Sequence, residues 1–364
     1  MVFRTSVLVL AAGLAGLTTG CASAEEAAPK VEVRKAAGSQ PAVIATVRVD
    51  ERPRGGTAVA VGEGGVWVGA GGGCSGSISH VDPDSNQVVA RIETDVVTDI
   101  AVGAGSVWAV SSRCRESGNE GVLLRIDPEL NRVVGTISLG CSSDLEPPDC
   151  FPSDVAVNGS GAWVSLNLDP TEGEIVRIRP ATNEVVARIP VEGWPRDVVL
   201  GEGSVWVFSL TELTGGVTWE GGSLFQIDPR ADKVVARVLG GEILPGGGEE
   251  VAPMIAVGAG AVWAWARNHA SSFAAVRIDA QTKRLIGEPL ALDHFFPVAV
   301  DEGGVWFVGN TGERASFSHL DPRTGQVDRS VALGITPIDA ALDPAGDTAW
   351  VADYWPSVVR VDLG

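Results

Sequence analysis

The sequence predicts an all-β fold, a closed ring of seven four-stranded antiparallel blades, and three observations predict it. The stretch Asp99-Ile-Ala-Val-Gly-Ala-Gly-Ser-Val-Trp108 has counterparts ending at Trp67, Trp163, Trp206, Trp263, Trp306 and Trp350. From Trp to Trp the spacing is 41, 55, 43, 57, 43 and 44 residues, and a four-strand unit of about 40–45 residues marks a β-propeller blade. The last unit lacks a fourth strand, while an orphan strand precedes the first unit.

Taken in order, the chain divides into three parts. Residues 1–20 read as a signal peptide: Arg4 precedes an apolar run, Val7 to Leu17, that is too short to anchor across a bilayer. Leu17-Thr-Thr-Gly-Cys21 looks like a bacterial lipoprotein signal, with Cys21 as the lipidated residue; an ordinary secretory cleavage near Ala24 is the alternative. Either way the mature protein is exported, and lipidation places it on the outer surface of the cell membrane. Residues 21–41 have no apolar period and are rich in Ala, Glu, Lys and Pro, so they read as a disordered tether. Residues 42–364 form the propeller.

Val43-Ile-Ala-Thr-Val-Arg-Val49 resembles the fourth strand of later units, such as Val88–Ile92 and Val185–Ile189. The final unit supplies strands at Ile338–Leu342, Thr348–Ala352 and Val358–Asp362 and then ends. Pairing the orphan with this vacancy closes the ring and removes the exposed edges of a linear array. Within each unit, Val-Trp (Ala-Trp at Trp163 and Trp350) opens the second strand after a Gly-containing turn. The third strand ends in Asp-Pro at Asp82, Asp127, Asp228 and Asp321, and Asn, Asp or Gly follows four residues later at Asn86, Asn131, Asp232 and Gly325. That pattern is turn chemistry, with Asp accepting the next amides and Asn or Gly accepting a left-handed backbone. The third unit has Arg179-Pro180 but keeps Asn183, and the fifth has Asp279-Ala280. Just before the third strand's end stands a cation or imidazole, at His80, Arg125, Arg177, Arg277, His319 and Arg360, with Gln226 the exception. These belong to a structural register beside the indole or a turn carboxylate, not to catalysis.

A net charge of −19 repels phosphate backbones, which excludes nucleic acid as a natural partner. Beyond Cys21 there are four cysteines. In an oxidising compartment they are expected to pair as Cys74–Cys114 and Cys141–Cys150; ligation of one metal by all four is the alternative, although no CxxC spacing is present.

The repeat Ala-Val-Gly-x-Gly-x-Val-Trp, followed by Val-x-Arg-Ile-Asp-Pro and Asn-x-Val-Val-Ala-x-Ile, resembles that of bacterial YVTN/YncE-like and virginiamycin B lyase-like seven-bladed propellers. The resemblance covers nearly everything after residue 42 and implies the fold. It leaves activity open, because that superfamily includes lyases, lactonase-like hydrolases and binding proteins. Its lyases carry histidines at the start of an innermost strand, with a glutamate and a magnesium ion. The corresponding positions here are Ala58, Asp99, Asp154, Asp197, Met254, Pro297 and Asp339. None is histidine, so the resemblance carries over the fold and not the catalytic set.

Long loops fall on one rim, where fourth strands pass to the next blade and second strands pass to third ones. All four non-lipid cysteines lie there, and such a rim is where binding resides. Candidate binding aromatics are Trp194, Trp219, Trp265, Phe295, Phe296 and Trp355, suited to an unknown protein, peptide or carbohydrate. Asp99, Asp154, Asp197 and Asp339 stand at the channel mouth as oxygen ligands for a Ca²⁺ or Mg²⁺ ion, or as acceptors for backbone N–H groups of the adjoining blade. No cofactor is required otherwise. His269 and His294, with Glu249 and Glu250, are the weak candidates for acid–base work. There is no Gly-x-Ser-x-Gly, HExxH, phosphate-binding loop or dinucleotide fingerprint. The reading is therefore a monomeric, lipid-anchored propeller acting as a non-catalytic binding module. A metal-dependent lyase or hydrolase using Asp99, Asp154, Asp197 and His294 is the alternative.

Overall fold

The computed structural model of the chain describes residues 41–50, 56–115, 118–140, 151–169, 171–214, 218–240, 255–267, 273–292, 295–301, 303–310 and 314–364. The expected signal peptide, the tether before residue 41, Cys141 and Cys150, and the candidate pair His269 and His294 lie outside the described residues. What is described forms seven four-stranded antiparallel sheets and no helix.

The innermost strands are Gly56–Gly62, Val96–Gly103, Phe151–Asn158, Trp194–Gly201, Ile255–Gly258, Phe295–Val300 and Pro337–Leu342. Each neighbours the next, and the seventh neighbours the first, so the sheets stand around one axis. Four of these strands end on glycine, and the approach of the next blade explains why. A Cβ on Gly62 would lie 2.8 Å from Val102, on Gly103 3.2 Å from Val157, on Gly201 2.5 Å from Val257, and on Gly258 2.9 Å from Val300. Adjacent blades approach too closely there for any side chain.

The ring closes as the sequence predicts. Ala42–Arg48 pairs antiparallel with Ser357–Asp362, with Ala42 opposite Asp362 and Arg48 opposite Ser357, and completes the seventh sheet. Val47 and Val49 share a core with Trp350 of that blade and Val59 and Val68 of the first, so the clasp also seals the final seam.

The core lies between blades. The six repeat indoles Trp67, Trp108, Trp163, Trp206, Trp306 and Trp350 are fully buried and Trp263 nearly so, and the cores pack them against the following blade, Trp108 against Val155 and Trp163 against Val198 and Val207. The predicted cation register covers these rings. Arg125 lies 5.2 Å over Trp108, Arg177 4.8 Å over Trp163, Arg277 5.7 Å over Trp263, and Arg360 5.4 Å over Trp350. His80 stacks on Trp67 at 4.1 Å and His319 lies 4.9 Å from Trp306. The same groups reach the next blade's turn: Arg125 donates to Asn183 Oδ1 (3.2 Å), Arg177 to Asp232 Oδ1 (2.7 Å) and Arg360 to Asn86 Oδ1 (3.3 Å), while His80 Nδ1 lies 2.6 Å from Asn131 Oδ1. Asp82, Asp127, Asp228 and Asp321 cap their own turns, while the left-handed residues Asn86, Asn131, Asn183 and Asp232 receive the Arg or His of the preceding blade.

Blade 5 departs from the pattern. Its outermost strand is only Leu290–Ala291, supplemented by a bridge between Ile278 and Leu285. Its turn places Lys283 at the left-handed position, with φ 63°. Lys283 Nζ reaches back to within 5.3 Å of the Trp206 ring of blade 4. That is the one blade whose register position holds neither Arg nor His; Gln226 instead donates to Ser204 Oγ at 2.7 Å. The cation is thus supplied from the opposite side of the seam.

Candidate functional site at the channel mouth

An innermost strand has one edge without a partner strand, and its N–H groups face the axis. The repeat answers with an aspartate from the preceding blade. Val155 N–H donates to Asp99 Oδ2 (2.9 Å), Val198 N–H to Asp154 Oδ2 (2.5 Å), Ile255 N–H to Asp197 Oδ2 (3.1 Å), and Val59 N–H to Asp339 Oδ2 (2.7 Å). Asp154 and Asp339 also accept from the residue that follows each, Val155 and Ala340, at 2.8 Å. Each carboxylate therefore ties one seam. Among the described residues no group of three or more His, Cys, Asp or Glu side chains stands where it would hold one metal ion.

The four acids form an arc over blades 7, 2, 3 and 4, with Ala58 in the gap at blade 1. Burial, the Asp154 charge and a hydrogen bond with Asp154 push Asp99 well above the ordinary carboxylate range, and Asp339 adds to this. Burial pushes Asp339 up to about 7, against the opposing N–H groups of Val59 and Ala340. Protonation of Asp99 lets it hydrogen-bond its neighbour where two charges would repel.

The sequence hid a feature beside each acid. The residue before it is a β-bulge, an extra residue between Val97 and Asp99, Pro152 and Asp154, Pro195 and Asp197, and Pro337 and Asp339. Bulges re-aim side chains. Thr98, Ser153 and Arg196, at three of these bulges, line a central cavity of about 700 Å³ together with all four aspartates and Trp194. The lining comes from the loop-rich ends of the innermost strands and continues onto Val155, Val199, Val257 and Val300. A polar mouth therefore stands over an apolar floor. Thr98 Oγ1 donates to Pro152 O (3.0 Å), and Asn167 Nδ2 donates to Ser153 Oγ (2.5 Å), which hold two bulges in place. The dipeptides Thr98-Asp99, Ser153-Asp154 and Arg196-Asp197 were the readable trace of this lining.

The aromatic candidates separate. Trp194 lines the cavity. Trp355 is 58% exposed and meets Tyr354 edge-on, 5.7 Å between centroids, on a hairpin tip braced by Tyr354 N–H to Thr336 O and Ser357 Oγ to Asp353. Trp265 corrects the sequence reading: it is 4% exposed and packs against Phe296 at 5.1 Å, because its strand turns that face into the seam with blade 6. Phe296 is half-buried in the same cluster. The side chains of Trp219 and Phe295 lie outside the described residues. On the same rim Cys74 and Cys114 form a disulfide, Cα–Cα 5.6 Å, joining the hairpins of blades 1 and 2.

No protein-family model matches the chain, and no curated protein matches it. Solved structures do. The Kuenenia stuttgartiensis hydrazine synthase is similar at 14% identity and a TM-score of 0.62, over 86% of this chain and 97% of that one. The Neurospora crassa Pan2 WD40 domain is similar at 9% identity and a TM-score of 0.63, over 92% and 98%. At such identities the likeness shows the fold alone, and that fold is the seven-bladed β-propeller.

Proposed function

We propose that the chain is an exported, lipid-anchored protein whose propeller is a non-catalytic binding module for a protein, peptide or carbohydrate at its loop-rich face. The observation that carries this reading is the 700 Å³ opening at the axis, which sets Trp194, Arg196, Ser153 and Thr98 over a valine-lined floor. A concave site in which apolar walls meet converging polar groups suits ligand recognition. The lipoprotein-like Leu17-Thr-Thr-Gly-Cys21 supports export, and the Cys74–Cys114 bridge suits an oxidising compartment. The repeat's resemblance to YVTN/YncE-like propellers agrees with a scaffold that holds binding loops.

Selection from a displayed random-peptide library and a soluble glycan array tests it. Hits are expected to lose at least tenfold in affinity for Trp194→Ala and Arg196→Ala, and to keep it for Arg230→Ala on the opposite face. Hits that bind all four proteins equally overturn the assignment of the site.

A further inference from the structure

We infer that the loop-rich face and channel mouth are carried on the side of the molecule away from the lipid anchor, so that the partner arrives from the medium and not from the bilayer. The inference rests on the proposed anchoring at Cys21; its geometry rests on the polarity of one strand. Ala42 pairs with Asp362, whereas Arg48 pairs with Ser357. Asp362 also pairs with Thr348, beside the hairpin that leads from Leu342 into the second strand of blade 7. The clasp strand therefore begins at the face of short turns and ends at the loop-rich face, beside Tyr354 and Trp355. Whatever precedes Ala42 joins the wheel at the turn face.

The seven-residue strand spans roughly 23 Å at about 3.3 Å per residue, so the chain enters the wheel that far from the loop-rich rim. Anchored at Cys21, the molecule carries its turn face on the anchor's side and its mouth outward.

Energy transfer to a headgroup acceptor dye in a supported bilayer tests this on the full chain. A clickable unnatural residue takes a donor fluorophore at Glu129 on the turn face or at Tyr354 on the loop-rich face. Transfer from position 129 is expected to be at least twice as efficient as from position 354. Equal transfer, or greater transfer from 354, overturns the inference. The mass of the N-terminal peptide reads lipidation of Cys21 separately. A hexahistidine tag replacing the residues up to Cys21, held on nickel-chelating vesicles, repeats the measurement without lipid. If Cys21 carries no lipid, the anchoring reading fails, while this second arm still decides which face the N-terminal segment leaves from.

Discussion

Exchanging charge across the seam between blades 4 and 5 tests the packing rule directly. At four other seams an Arg or His meets the indole and reaches Asn or Asp of the next blade's turn; here Gln226 and Lys283 hold those places. Gln226→Arg alone would set a guanidinium over the Trp206 ring that Lys283 Nζ already approaches to 5.3 Å. Two unit charges about 5 Å apart repel by roughly 3 kcal/mol at an effective dielectric of about 20, so a loss of about 1–3 kcal/mol is expected. Lys283→Asn alone removes the cation over Trp206, at roughly 0.5–2 kcal/mol. It also places a residue tolerant of positive φ where Lys now adopts 63°. The double variant recreates the Arg–Asn seam of blades 2 and 3 and is expected within about 1 kcal/mol of the parent. A double-mutant cycle in urea should give a favourable coupling of at least about 1 kcal/mol. If the double variant is as unstable as Gln226→Arg, the cations are not interchangeable across the seam and the rule is wrong.

Three further outcomes follow from the structure. Asp339 has a folded pKa of about 7, above its unfolded value, so the folded state binds the extra proton between about pH 4 and pH 7. Its contribution is complete below that window and is lost as pH rises through 7, with Asp99 acting in the same direction. The shift corresponds to roughly 4 kcal/mol at most, less for a group facing an open channel, and Asp339→Asn should flatten the fall in urea midpoint from pH 5 to pH 8. An unchanged slope would refute that assignment. The Cys74–Cys114 bridge closes 40 residues, worth about 4 kcal/mol by chain entropy. Reductant should lower the melting temperature by several degrees, and the double serine variant should melt low with or without it. Gly201→Ala would drive a Cβ to 2.5 Å from Val257 and should cost about 1–3 kcal/mol, whereas Gly159→Ala, with nothing within 4 Å, should stay within about 0.5 kcal/mol; equal midpoints would remove the seam explanation for the repeat's glycine.

The sequence by itself determined what depends on local pattern and on repetition. Seven Trp-bearing units, the Asp-Pro turns with their left-handed Asn or Gly, the register of cations and the clasp of Val43–Val49 into the last blade were all readable. Each is set by hydrogen bonds and side-chain periods within a few residues, and copying made the signal plain. Only the tertiary structure decided how blades meet, because those partners stand some 50 residues apart and no local pattern announces them. Of the two roles the sequence left open for Asp99, Asp154, Asp197 and Asp339, cation ligand or acceptor for the adjoining blade, it put an oxygen of each onto a neighbouring blade's N–H. It turned Trp265 into core, moved the cation of blade 4 onto Lys283, and aimed Thr98, Ser153 and Arg196 from their bulges into the channel. A bulge shifts one residue against its partner strand, and the face a side chain takes after such a shift is settled by pairing, which exists only once the strands have come together.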